Sequence, residues 1–282
     1  MQQNSIQQLL STATKSLQNS PSSELDTEIL LAHVLKKNRS FLRAWPEKQL
    51  SEQQQLKFEN LIAERKNGTP IAYILGEKEF WSHTFLVDKH VLIPRPDTEL
   101  LIDIALETLS PRIPTNIADL GTGSGAIAIS LALERPQSTI VAVDISAEAL
   151  AIAKKNAAQL QANNIKFQLS HWLEGLSNSS FDIIISNPPY IESTDPHLLT
   201  GDVQFEPKTA LVSNENGLHD IKMIIHQAPK FLKPKGFILF EHGFQQGKKV
   251  QSLLESANFV NIKQFRDLQG HMRATLAQYN HL

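Results

Sequence analysis

The chain has 282 residues, 41% hydrophobic and 20% charged, with a formal net charge of −2 and no cysteine. That length has room for one large domain or two and for a sizeable core. The near-neutral balance supplies no global basic field for DNA, RNA or an anionic membrane, and the lack of thiols excludes disulfides, thiolate zinc sites and cysteine nucleophiles.

The start, Met1-Gln2-Gln3-Asn4, is polar and runs into an amphipathic pattern, which is not a signal peptide. No apolar run approaches the roughly 20 residues of a membrane span, so a cytoplasmic protein without membrane contact is expected. From Ser5 to about Gly68 the pattern is helical. Ile6, Leu9, Leu10, Ala13 and Leu17 share one face of a first helix. Leu25, Ile29 and Ala32 mark a second over 24–35, and Ser51-Glu52-Gln53-Gln54 is a capping box opening another whose face is Leu56, Leu61 and Ile62. Residues 1–76 therefore read as a small helical bundle, either a structural cap or a surface that docks a protein substrate, the latter being the expected role.

Between 69 and 96 the helical period fails. Residues 80–87 and 91–93 read as two strands joined around Asp88-Lys89-His90, a β-hairpin linker within 77–95. Pro94-Arg95-Pro96-Asp97-Thr98-Glu99 then fixes the entry to a helix, capped by Asp97 or Thr98 and reaching Leu109. Arg95, held between prolines, faces a site or snorkels along the surface. From Asn116 onward strands over 117–120, 139–143, 165–169, 181–186 and 236–240 alternate with helices, the pattern of a parallel sheet covered on both faces. Two short last strands over 259–265 and 274–279 complete a second domain spanning 96–282, with the final strand reversed.

Asp119-Leu120-Gly121-Thr122-Gly123-Ser124-Gly125 lies where the first of these strands turns into a helix, where glycines let backbone approach a ligand. The loop fits a dinucleotide pyrophosphate on a helix N-terminus, and equally S-adenosylmethionine. Asp144, at the end of the next strand, accepts hydrogen bonds from ribose hydroxyls in either case, or else caps the helix that follows. Asn187-Pro188-Pro189-Tyr190 favours the second ligand. It ends the apolar run 181–186 abruptly, and its prolines stiffen the backbone and remove two N–H donors. A primary amide or exocyclic amine has two coplanar N–H groups. The Asn187 side-chain oxygen and the Pro188 carbonyl can each accept one, with Tyr190 packed on the flat face. Ten dispersed histidines give no metal-binding pattern, so no metal is expected.

These motifs, with Ala72-Tyr73-Ile74-Leu75-Gly76, Leu92 to Glu99, Phe205-Glu206-Pro207, Gly270 and Arg273, closely resemble the bacterial release-factor glutamine methyltransferases, also called HemK-type proteins. The resemblance runs through nearly the whole chain. It implies a Rossmann-like α/β methyltransferase sheet behind the bundle and hairpin. Its implied reaction is transfer of a methyl group from S-adenosylmethionine to the side-chain amide of the glutamine in a Gly-Gly-Gln motif. Peptide chain release factors 1 and 2 are the implied protein partners, and a monomer that does not act on DNA is expected. By the same resemblance Gly121, Thr122, Gly123, Ser124, Gly125, Asp144, Trp172 and Asn187 hold the cofactor, while Asn187, Pro188, Pro189 and Tyr190 hold the substrate and carry the catalysis. His171 departs from the pattern, since an acid usually precedes the aromatic at Trp172. The rivals are an adenine-N6 DNA methyltransferase, whose amine presents the same two donors, an NAD-binding oxidoreductase, and a non-catalytic cofactor-binding adaptor.

Overall fold

The computed structural model describes residues 4–176 and 180–280; the expected polar start at Met1 to Gln3 lies outside them. The chain divides into two compact units, Met1–Gly76 with Leu199–Phe205, and Glu77–Leu198 with Glu206–Leu282.

The first unit is built from helices Ile6–Ser16, Ser23–Leu35, Arg39–Ala44, Glu52–Lys66 and Ile71–Leu75. Reciprocal capping boxes open two of them: Ser5 with Gln8, and Ser51 with Gln54 as expected. Ile6, Leu9, Ala13 and Leu17 meet Leu30, Leu31, Phe58 and Ile62 in one core. Two expected core positions are exposed instead, Leu25 at 42% and Leu56 at 61%. The buried faces are rotated because polar residues on them find partners. Asp26 pairs with Arg65 at 2.8 Å, Arg39 donates to Glu28 at 2.6 Å, and Gln55 donates to the Leu50 carbonyl at 3.2 Å. The excursion Leu199–Phe205 belongs to this unit through Asp202, 2.7 Å from Arg65, and through the Phe205 ring over Gly68. A Cβ on Gly68, whose φ is +97°, would fall 2.2 Å from Phe205 Cζ.

The second unit opens with a hairpin of β1 (Glu77–Phe80) and β2 (His83–Leu86), earlier in the chain than the expected strands over 80–87 and 91–93. The turn is Trp81-Ser82, with φ of +49° and +58°. A two-residue turn with both φ positive matches the twist of paired strands. Bonds from distant acids hold Trp81 in it: its N–H donates to Glu99 at 2.8 Å and its indole to Glu134 at 3.0 Å. Residues 91–93 run irregularly, with Ile93 N–H donating to Glu206 at 3.1 Å. Neither Asp97 nor Thr98 caps helix Glu99–Thr108 with its side chain; a 3-10 turn, Pro96–Thr98, leads in, and the Thr98 hydroxyl is drawn to Glu241 at 2.6 Å.

The main sheet contains β3 (Asn116–Leu120), β4 (Thr139–Asp144), β5 (Ile165–Leu169), β6 (Phe181–Ser186), β7 (Leu232–Glu241), β8 (Phe259–Arg266) and β9 (Met272–Tyr279). Their order is β5-β4-β3-β6-β7-β9-β8, with β3 to β7 parallel and β9 antiparallel to both neighbours. Successive residues alternate between the two faces: Ile117, Ile183 and Ile185 pack in a core with helices Glu99–Thr108 and Ala126–Glu134, while Ala118 and Ile184 pack with helices His219–Gln227 and Gly247–Ser256. Because β3 is flanked by β4 on one side and β6 on the other, the chain reverses its winding there, and the crevice at the carboxyl ends of these strands is where such sheets bind ligands.

Candidate active site

At the end of β3 the chain turns through Gly121, Gly123 and Gly125, with φ of +73°, +56° and +84°. The Asp119 carboxyl anchors this turn from below, its Oδ2 accepting from the Thr122 hydroxyl at 2.6 Å and from Ala128 N–H at 3.1 Å. Asp119 is fully buried, and burial pushes its pKa up to about 7 against those two bonds, with nearby Asp144 pushing the same way. Among the described residues its Oδ1 has no partner. Asp144, ending β4, accepts from Gly123 N–H at 2.8 Å and Ser146 N–H at 2.9 Å; burial raises its pKa against those bonds. Ser146 caps helix Ala147–Leu160 by accepting from Ala149 N–H at 3.1 Å.

These turns open on a cavity of about 280 Å³, whose walls include Gly121, Gly123, Asp144, Ile145, His171, Trp172, Asn187, Pro189 and Asp220. Trp172, 8% exposed and at φ +50°, donates its indole N–H to Asp220 at 3.3 Å. A Cβ on Gly121 would come within 3.2 Å of its ring, so glycine keeps the space between loop and ring open. His171 is half-exposed beside it, with Nδ1 3.5 Å from Glu174.

The corner after β6 completes the wall. Ser186 Oγ donates to the Leu120 carbonyl at 2.8 Å and fastens β6 to β3. Asn187 Nδ2 donates to Thr98 Oγ1 at 3.1 Å, and Thr98 donates to buried Glu241. The Tyr190 hydroxyl donates to the other oxygen of Glu241 at 3.1 Å, and burial first, then the Glu241 charge, raises its pKa. The Tyr190 carbonyl accepts from Gln246 Nε2 at 3.0 Å, with Gly217 so close behind that a Cβ there would sit 2.0 Å from that oxygen.

Of the residues expected at the site, Gly121, Gly123, Asp144, Trp172, Asn187 and Pro189 line this cavity together. Thr122, Ser124, Gly125, Pro188 and Tyr190 flank it without being among the residues of its wall. Thr122 braces Asp119, the Ser124 carbonyl accepts from Asn156 at 2.8 Å, and Gly125 faces Ile129 and Ala153. Arg95 pairs with Glu206, whose buried carboxylate also takes Ile93 N–H. Thr98, Glu241, Gln246 and Asp220 were not anticipated at the site. Glu241 carried a faint signal as the charge that ends the apolar run Phe237-Ile238-Leu239-Phe240. Among the described residues no group of three or more His, Asp or Glu is placed to hold a metal ion, and no helix is long and apolar enough to cross a membrane.

The donor set suits S-adenosylmethionine. Asp144 has lone pairs left for a ribose diol, Ile145 and Trp172 give a flat apolar wall, and the glycine backbone at Gly121 leaves room that a side chain would fill.

Comparison with known proteins agrees. The PrmC N-terminal domain family matches residues 8–76, and a methyltransferase domain family matches 114–278. The chain is 49% identical to the release factor glutamine methyltransferase of Pseudomonas aeruginosa, over 93% of this chain and 95% of that one. It is 47% identical to that of Vibrio cholerae, over 97% and 96%. A methyltransferase from Pyrococcus furiosus shares the fold, with a TM-score of 0.54 at 17% identity over 79% of this chain and 100% of that one. With identity of this order running from the helical unit through the last strand, the chain belongs to the release factor glutamine methyltransferase family, whose cofactor is S-adenosylmethionine.

Proposed function

We propose that this protein methylates the side-chain amide nitrogen, N5, of the glutamine in the Gly-Gly-Gln motif of peptide chain release factors 1 and 2. It acts as a cytoplasmic monomer on a protein and not on DNA, and the helical unit docks the release factor. The observation that carries the reading is the orientation of Asn187. Its amino end is committed to Thr98, which leaves Oδ1 as the acceptor at a cavity shared with Asp144 and Gly121.

S-adenosylmethionine supplies an electrophilic methyl group on a sulfonium. Gly121, Gly123, Asp144 and Trp172 would hold it. A glutamine amide is a poor nucleophile because its lone pair is delocalised into the carbonyl. Asn187 Oδ1 and the Pro188 carbonyl each accept one amide N–H, which fixes the nitrogen in line and stabilises the positive charge that grows on it. As the new N–C bond forms the methyl–sulfonium bond breaks and the cofactor leaves as a neutral thioether, while one of the two amide protons passes to solvent, so the glutamine ends neutral. Tyr190, clamped at both its hydroxyl and its carbonyl, keeps the corner rigid.

Labelled-methyl transfer offered in parallel to a release factor, to the same factor with its motif glutamine replaced, and to duplex DNA tests this reading. Label is expected in the first alone; label in DNA alone overturns it. In the same assay Asn187→Ala is expected to keep cofactor affinity within a few-fold while slowing transfer on the order of a hundredfold.

A further inference from the structure

We infer that Thr98 and Glu241 decide which end of the Asn187 amide faces the substrate, so that methyl transfer proceeds only while Glu241 is ionised. This rests on the methyltransferase reading above and adds two positioning residues to it.

The chain of contacts is short. Asn187 Nδ2 lies 3.1 Å from Thr98 Oγ1, Thr98 Oγ1 lies 2.6 Å from Glu241 Oε2, and the Tyr190 hydroxyl lies 3.1 Å from Glu241 Oε1. Thr98 is 5% exposed and Glu241 2%. A threonine hydroxyl has one proton to give, and a carboxylate only accepts. With Glu241 ionised, the Thr98 proton goes to Glu241, so Thr98 has only a lone pair to offer Asn187. That lone pair selects the amino end, and Oδ1 is turned to the substrate.

A proton on Glu241 Oε2 reverses the direction. Glu241 then donates to Thr98, Thr98 donates to Asn187, and the amide is satisfied only by presenting Oδ1 to Thr98. Its two N–H groups now meet the N–H groups of the glutamine, donor against donor, and the acceptor needed for the reaction is gone. The Tyr190 bond survives in both states, because Oε1 accepts in either.

The surroundings of Glu241 decide where this switch falls. Burial raises its pKa, and the bonds from Thr98 and Tyr190 and the charge of Arg273 lower it in part, while Asp97 pushes upward. Arg273 is itself shared with Asp267 at 3.2 Å and Asp97 at 3.6 Å. Arg95, the other cation acting on Tyr190, is paired with Glu206. The residue that follows β7, His242, bonds Thr275 at 2.8 Å, and burial holds its pKa below the ordinary value. The net direction is upward, so the acid limb of the rate stands above the ordinary carboxylate range.

The test is kcat against pH, with a release factor as substrate, for the native protein and for Thr98→Ser, Thr98→Val and Glu241→Gln, alongside calorimetric affinity for S-adenosylmethionine. The native rate is expected to fall about tenfold per pH unit below the Glu241 transition. Glu241→Gln, whose amide gives Thr98 a permanent donor, is expected to lose on the order of a hundredfold in kcat and to show no such limb. Thr98→Val is expected to lose as much, and Thr98→Ser to restore most of the rate together with the limb. Cofactor affinity is expected to stay within about threefold throughout, as for a loss confined to the transition state. Full kcat in Glu241→Gln or Thr98→Val, an acid limb that persists in Glu241→Gln, or loss of cofactor affinity in step with kcat overturns the inference. If the native protein labels no release factor, the functional reading falls and takes the inference with it; if it does and the variants match it, only the inference falls.

Discussion

Asp119 is the most buried acid beneath the glycine turn, and its raised pKa has a consequence for stability. A carboxyl whose folded pKa is about 7 against an ordinary 3.8 holds its proton in the folded chain after the unfolded chain has released it. Between those values the folded state binds more protons, so stability falls as pH rises through the window, by a few kcal/mol at most. Asp144 and Glu241 are shifted the same way and add to the trend. Asp119→Asn is expected to flatten the pH dependence, seen as a smaller difference between urea midpoints at pH 4.5 and pH 7.5 than in the native protein. Asp144, Asn187 and the glycines were legible in the sequence because each belongs to a contiguous motif at a strand end. Glu241 and Gln246 were not, because they reach Tyr190 from 51 and 56 residues away. Asp220 reaches Trp172 from 48, with no local pattern to mark it.

At the level of elements, Asn156 joins the hairpin to the glycine turn. From helix Ala147–Leu160 its Oδ1 accepts Leu86 N–H at 2.7 Å, and its Nδ2 donates to the Leu86 carbonyl at 3.0 Å and to the Ser124 carbonyl at 2.8 Å. The side chain is fully buried, so its loss leaves partners without replacement. Asn156→Ala is expected to cost about 2–3 kcal/mol and to weaken cofactor binding, measured by denaturant unfolding and by titration. The strands of the parallel sheet were readable from their apolar runs, and β5 and β6 fall where expected. The hairpin was misplaced for a physical reason: 80–87 alternates like one strand, and neither Trp81 nor Ser82 is a residue that customarily takes the positive φ of such a turn. Glu99 and Glu134, outside that window, stabilise the turn. The misplaced helix faces have a similar origin, since ion pairs and amide bonds let Asp26, Glu28 and Gln55 be buried where an apolar stripe was sought.

For the molecule as a whole, the alternation of strands and helices announced the fold class, whereas strand order did not follow from any local pattern. The return of Leu199–Phe205 to the helical unit was invisible as well, because it depends on Arg65 and Gly68, more than 130 positions earlier. That return means the boundary at Gly76–Glu77 is only one of three places where the chain passes from one unit to the other. Cleavage of that single peptide bond would therefore yield two fragments, the longer of which still carries a piece of the shorter one's fold. The nicked protein is expected to travel as one species through a sizing column under native conditions and to separate in urea. In the variant Phe205→Ala with Asp202→Ala, the fragments are expected to separate at a lower urea concentration. The helical unit is thus not a removable head but a fold finished by a segment borrowed from downstream.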